Sequence, residues 1–138
     1  MNGITVHSRL GRFIARLRRD ERGLSAGTAI MFPALVIFVL AIFQFAFWYL
    51  GGDVAHSAAY TGYQQARAYQ ATNQDGTAAA QAALNANGNL LESTDISVDR
   101  TPTTVTVTVT GQAWHLLPFL PVPDINRSVT GPIERWVP

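Results

Sequence analysis

The sequence predicts an α+β protein: an N-terminal transmembrane helix extended into an alanine-rich helix, then a short helix and a small antiparallel β-sheet. Three observations carry this. Residues 24–50 contain no Asp, Glu, Lys, Arg or His. Small residues recur every three or four positions at Ala55, Ala59, Gly62 and Ala66. Valine and threonine alternate strictly from Thr104 to Thr110. A long uncharged apolar run marks a membrane span, a period of three to four marks one face of a helix, and a period of two marks a strand with one face buried.

At 138 residues the chain has room for one small core beside accessory segments. It divides into a basic leader over 1–23, a transmembrane helix over 24–50 and an extracytoplasmic domain over 51–138. Charge is segregated accordingly. The leader holds six arginines (Arg9, Arg12, Arg16, Arg18, Arg19, Arg22) against Asp20 and Glu21, a balance of +4, while the rest carries four arginines against seven acids, −3. A basic tail is compatible with nucleic-acid binding, but placed directly before an apolar run it orients that run in a membrane with the basic end inside. The six arginines are thus read as topology determinants, the leader as cytoplasmic, and nucleic acid is not expected as a partner.

Within the span, Ala29–Leu50 is a 22-residue stretch interrupted only by Pro33 and Gln44. At ~1.5 Å per residue such a helix covers about 33 Å, enough for a hydrocarbon core of ~30 Å. A secretory signal has an apolar region of only ~7–15 residues, so a retained anchor fits better than a cleaved signal, although Ala55 and Ser57 are small enough for cleavage. Pro33 falls near the start, where a missing amide donor costs least. Trp48 and Tyr49 sit at the far end, where amphipathic rings favour the headgroup level. Gln44 is either a tolerated lone polar residue or a hydrogen-bonding group for a neighbouring helix.

Gly51 and Gly52 weaken the helix after the span and are the expected place for a bend. From Asp53 to about residue 70 the pattern is helical again. Its stripe of Ala55, Ala59, Gly62 and Ala66 suits close approach of a second helix, or equally packing on the chain's own domain. Ala71 to Gly76 reads as a loop. A second helix is expected from about Thr77 to Asn87, capped by Asp75 or Thr77 and followed by Gly88. Strands are expected over Asp95–Arg100, over Val105–Thr110 with its valines inward, and over Asn126–Thr130. Gly111 allows a bend or bulge, Gln112–Leu117 continues as strand, and Pro118, Pro121 and Pro123 enforce a loop around Phe119 and Leu120.

Chemistry is sparse. The chain has no cysteine, which excludes disulfides and thiolate metal sites. It has no phosphate-binding glycine loop, zinc-helix motif or nucleophile elbow. His7, His56 and His115 fall in three different elements, too far apart in sequence to suggest a ligand set. Asp95 and Asp99 read as solvated charge, and Ser57 beside His56 lacks an orienting third group. No catalytic residue, metal, cofactor or small-molecule substrate is expected, and the chain is not read as an enzyme.

Glu21-Arg22-Gly23, a run of small residues, and Ala29-Ile30-Met31-Phe32-Pro33 opening a Phe- and Leu-rich span resemble the start of a TadE-like protein. These are minor-pilin-like components of the tight-adherence (Tad) branch of type IV pilus systems. The resemblance continues through Trp48 and Tyr49, Ala66-Arg67-Ala68-Tyr69, the threonine/valine strand and Gly131-Pro132-Ile133-Glu134-Arg135. It implies a pilin-like fold and a prepilin-like membrane protein that helps assemble or prime a surface fibre. Its implied partners are other prepilin-like subunits and the pilus-assembly platform, and its implied prepilin-peptidase site is the Gly23–Leu24 bond. Related proteins commonly carry a glutamate shortly after that glycine, where this chain has Gly27 between Ala26 and Thr28. A buried carboxylate in lipid is expensive unless paired. Its absence removes one reason to polymerise and favours an accessory subunit over the main fibre subunit. The competing expectation is a membrane-tethered module that binds cell-wall or surface ligands through a patch of Trp114, Phe119 and Trp136.

Overall fold

The computed structural model describes the backbone of residues 7–88 and 90–134, and side-chain environments from residue 27 onward. The elements in order are α1 (His7–Ala66), α2 (Asn73–Ala86), β1 (Leu91–Arg100), β2 (Thr104–Ala113) and β3 (Ile125–Pro132). This is the expected α+β architecture. The chain divides into two compact units, Met1–Leu40 and Ala41–Pro138. In the first, the described residues belong to α1. The second holds the rest of α1, α2 and the sheet.

Among the described residues, one helix, within Gly27–Ala66, is long and apolar enough to cross a membrane. Only 6% of its most apolar 18-residue window is buried inside the protein. The core helix of a soluble domain would be mostly covered, so the apolar surface from Ile30 to Leu50 is not there to fill this chain's own core.

The sheet is a three-stranded antiparallel meander with β2 in the centre. Val105, Val107 and Val109 on β2 are fully buried, as the alternation predicts, each contributing about 2 kcal/mol of burial. The opposite face is polar: Thr106 bonds Thr130 at 2.9 Å and Thr108 donates to Ser128 at 3.1 Å. Such cross-strand hydroxyl pairs fix register on the side away from the core. The irregularity near Gly111 lies on the opposing strand. Pairing of β1 with β2 shifts between Glu92 and Asp95, and Ser93 there has φ 51°, an uncommon left-handed conformation for a non-glycine residue. A Cβ on Gly111 would crowd Thr94 Cγ2 at 3.3 Å, so glycine makes room for the bulge. Beyond it the pairing resumes as Leu91 opposite Ala113, which is why β1 starts four residues earlier than expected. β2 ends at Ala113 rather than running on to Leu117.

Two helix boundaries also differ from expectation. α1 stops at Ala66 rather than near residue 70, because the chain turns away there: the Arg67 carbonyl accepts the Glu134 amide at 3.0 Å, and Gln70 takes a left-handed φ of 61°. α2 begins at Asn73, four residues early, because Thr72 and Asp75 form a capping box. Thr72 N donates to Asp75 Oδ2 at 2.8 Å, and Asp75 N donates to Thr72 Oγ1 at 3.3 Å. Gly88 lies just past the helix with φ 74°, as expected of a C-terminal glycine.

Helix α1 runs through Gly51 and Gly52 without a break. Gly51 serves close approach rather than bending, since a Cβ there would lie 2.8 Å from Ile125 Cδ1 and 3.0 Å from Leu91 Cδ2. The C-terminal part of α1 is thereby pressed against the sheet, with Ala55, Ala59, Tyr63 and Ala66 in one cluster with Leu84, the three β2 valines and Ile125. Tyr63 adds a polar tie: its hydroxyl donates to the Pro132 carbonyl at 3.3 Å, and the Arg67 guanidinium stands 5.6 Å over its ring.

Candidate functional site

The residue that organises the most unusual part of the molecule is Gln44. It lies in the most apolar part of α1, yet it is only 2% exposed and is the one buried polar side chain among the described residues. An amide in apolar surroundings needs partners for both ends. Gln44 Nε2 donates to the Trp114 carbonyl at 2.8 Å, and Gln44 Oε1 accepts the Leu116 backbone amide at 2.7 Å. One turn further on, Trp48 Nε1 donates to the Pro123 carbonyl at 3.1 Å. The two side chains thus hold the β2–β3 connection, residues 114–124, against helix residues 41–48. That connection is long because Pro118, Pro121 and Pro123 cannot join a ladder, and the strands resume only at Ile125.

Between helix and loop lies an apolar groove of about 380 Å³, walled by Ala41, Phe45 and Trp48 on one side and Leu120 and Val122 on the other. Phe45 and Trp48 stack obliquely with ring centres 5.9 Å apart. The loop turns several apolar side chains outward: Trp114 is 54% exposed, Leu116 39%, Phe119 68% and Leu120 37%. Leu117 points in and is buried, and Val122 packs partly buried against the core.

The structure places the other sequence-derived candidates as follows. Ala55, Ala59, Gly62 and Ala66 face inward and are covered by the sheet and α2. A Cβ on Gly62 would lie 2.8 Å from the Gly76 carbonyl oxygen, 3.0 Å from Ala80 Cβ and 3.2 Å from Val107 Cγ1. Of the two readings of the stripe, packing on the chain's own domain is the one observed, and the four residues have no free face for a second helix. Gln44 is likewise spent on its own loop rather than offered to a neighbour. The side-chain environments of Arg9, Arg12, Arg16, Arg18, Arg19, Arg22, Gly23 and Leu24 lie outside the described residues, as does Trp136. The sequence suggested Trp114 and Phe119 as parts of one patch and picked out Gln44 and Trp48 separately, but did not join the helix residues to the loop. The signal available was the pairing of one polar residue in an apolar helix with one proline-rich apolar loop.

Groups capable of chemistry do not converge among the described residues. Among the described residues no three His, Asp or Glu side chains gather as metal ligands would. His56 and Ser57 are exposed on α1, and His115 is exposed on the loop. The Arg67–Glu134 ion pair at 3.0 Å is partly solvated and ties the chain end to the turn after α1. Arg100 donates to the carbonyls of Ala71 and Ala68, in the turn between α1 and α2. What the geometry can do is bind apolar matter beside a membrane-length helix.

Compared with known proteins, the chain matches no family model, no curated protein and no solved structure.

Proposed function

We propose that this protein is a membrane-anchored, prepilin-like accessory component of Tad-type pilus or type II-like secretion assembly. It acts through protein–protein contacts rather than catalysis. The proposal places the N-terminus in the cytoplasm, one helix across the membrane and the α+β domain outside, with other prepilin-like subunits and the assembly platform as partners. The observation that carries it is the uncovered apolar surface of α1 from Ile30 to Leu50, directly preceding a helix segment sealed into a small domain. Such a helix has no use for its side chains except against lipid or other membrane helices. Because the small-residue stripe is already covered, those helix contacts fall on the Phe- and Leu-rich face of the span instead.

Affinity purification from native-host membranes tests this. A single-pass prepilin-like protein or a polytopic platform protein is expected to co-purify, and replacing Phe38 and Phe45 with serine is expected to weaken that association. Recovery of the protein alone under mild detergent would count against it. A second reading, a tethered module for cell-wall or surface ligands, draws on the outward Trp114 and Phe119. Retention of the protein by isolated cell wall, lost in W114S/F119S, would favour it.

A further inference from the structure

We infer that the 114–120 segment is a second membrane contact, laying Trp114, Leu116, Phe119 and Leu120 into the boundary between headgroups and acyl chains on the domain's side of the bilayer. The inference rests on the anchor reading above and goes beyond it, because it assigns lipid as the partner of a loop outside the span.

Depth is the first argument. The bonds from Gln44 and Trp48 fasten the loop six and two residues before Leu50, where the uncharged apolar run ends. At ~1.5 Å per residue that is about 9 and 3 Å inside the end of the run. The headgroup layer adds only about 5–7 Å beyond each face of the hydrocarbon core. A loop attached there reaches from the boundary into the outermost part of the acyl region.

The backbone supplies a second, independent argument. Irregular chain at this depth is tolerated only where its polar groups find partners within the protein. Three of the ten residues 114–123 are prolines and carry no N–H at all. Five backbone groups are bonded within the protein: the Trp114 and Pro123 carbonyls and the Leu116 amide by α1 side chains, and the Leu120 amide with the Leu117 carbonyl at 3.1 Å. A loop standing in water would find those partners in solvent. With the three prolines and the bonded amides of Leu116 and Leu120, half of these ten positions leave no amide without a partner.

The side chains agree. From Gly111 to Pro123 there is no Asp, Glu, Lys or Arg, and the four outward residues are apolar or amphipathic. Tryptophan at the boundary, with leucine and phenylalanine beside it, is what an interfacial segment presents to lipid. A sugar-binding face would set polar side chains beside its aromatics, but within 111–123 the polar side chains are Gln112, engaged with Asp124 at 2.8 Å, and His115. The groove beside Phe45 is apolar and shares Leu120 with this surface.

Because the chain has no cysteine, single-cysteine variants report position directly. The full chain carrying F119C, F43C or S128C is nitroxide-labelled and reconstituted into vesicles of phosphatidylcholine with a minor share of phosphatidylglycerol. Accessibility is then measured to oxygen, which partitions into lipid, and to nickel–EDDA present on both sides, which stays in water. The expected result is oxygen-dominated accessibility at 119, within about twofold of that at 43, and nickel-dominated accessibility at 128. If 119 behaves like 128 while 43 stays oxygen-dominated, the loop contact is overturned and the anchor reading stands. If 119 is shielded from both probes, protein covers the loop and the inference is equally overturned. Nickel-dominated accessibility at 43 would remove the anchor reading and this inference with it.

Discussion

The side-chain oxygen of Gln44 accepts the backbone amide of Leu116 at 2.7 Å, across 72 residues of sequence. That one side chain also donates to the Trp114 carbonyl, so both hydrogen-bonding ends of a residue in the apolar stretch of α1 are committed to a loop. Replacing Gln44 with methionine keeps the volume and removes both bonds. Each backbone group left without a partner costs about 1–3 kcal/mol. Q44M is expected to lower the unfolding midpoint in detergent and to speed amide exchange at Leu116. Unchanged exchange there would show that the bond does not hold the loop.

Two helix glycines of α1 are expected to respond oppositely to alanine. A Cβ at Gly52 would lie 3.0 Å from Arg127 Nη2, the end of a flexible side chain that can move aside. The G52A helix then gains about 1 kcal/mol of propensity. At Gly62 the nearest atom is the Gly76 carbonyl oxygen at 2.8 Å, which belongs to a packed helix and cannot yield cheaply. G62A is expected to destabilise by about 1–3 kcal/mol in spite of its better propensity. Denaturant midpoints of the two variants, measured side by side, check this, and equal shifts would contradict it.

Acid should loosen α2 at its N-terminus. The Asp75 carboxyl is held below the ordinary carboxylate range because it accepts the backbone amide of Thr72 and, second, its hydroxyl. A carboxyl with a lower pKa folded than unfolded contributes stability that is present above the unfolded value and lost as pH falls through the folded one. The loss is therefore expected from about pH 4 downward, with no change between pH 6 and 8. D75N should flatten this acid dependence, as read by amide exchange over Asn73–Gly76. A dependence that persists in D75N would locate the titrating group elsewhere.

Processing is tested at the other end of the chain. The resemblance implies a mature protein beginning at Leu24. N-terminal sequencing of protein from its native host is expected to find that start, and G23F is expected to block cleavage while leaving membrane insertion intact. A mature form beginning at Met1 or near Ala58 would refute it.

The parts of the fold legible in sequence are those governed by local period. Alternation in β2 placed its valines correctly because each strand residue's face follows from its parity alone. Gly88 marked a helix end because a left-handed residue there favours glycine. Neither rule reaches across the chain. The end of α1 at Ala66 depends on Glu134, and the role of Gly51 depends on Ile125, a residue 74 positions later. The small-residue stripe was legible as a close-packing face, but its partner was not, because a sheet and a helix impose the same demand for small side chains. The candidate site was half legible: its polar residue and its aromatics stand out by composition, whereas their meeting is a tertiary event without a local signature.

The hydrogen bonds from α1 to the β2–β3 connection and to the end of β3 link residues 69 to 75 positions apart. This separation sets an order of events during synthesis. The first half of the chain, with its apolar helix, emerges before the sheet that covers residues 51–66 has been made. Closing so long a loop is costly and slow, and nothing earlier in the sequence repeats the contacts that β2 and β3 provide. The nascent chain therefore carries an uncovered face of alanine and glycine until its last thirty or so residues arrive. A ribosome stalled before Ile125 would leave the sequence of α1 complete but a domain that has yet to close.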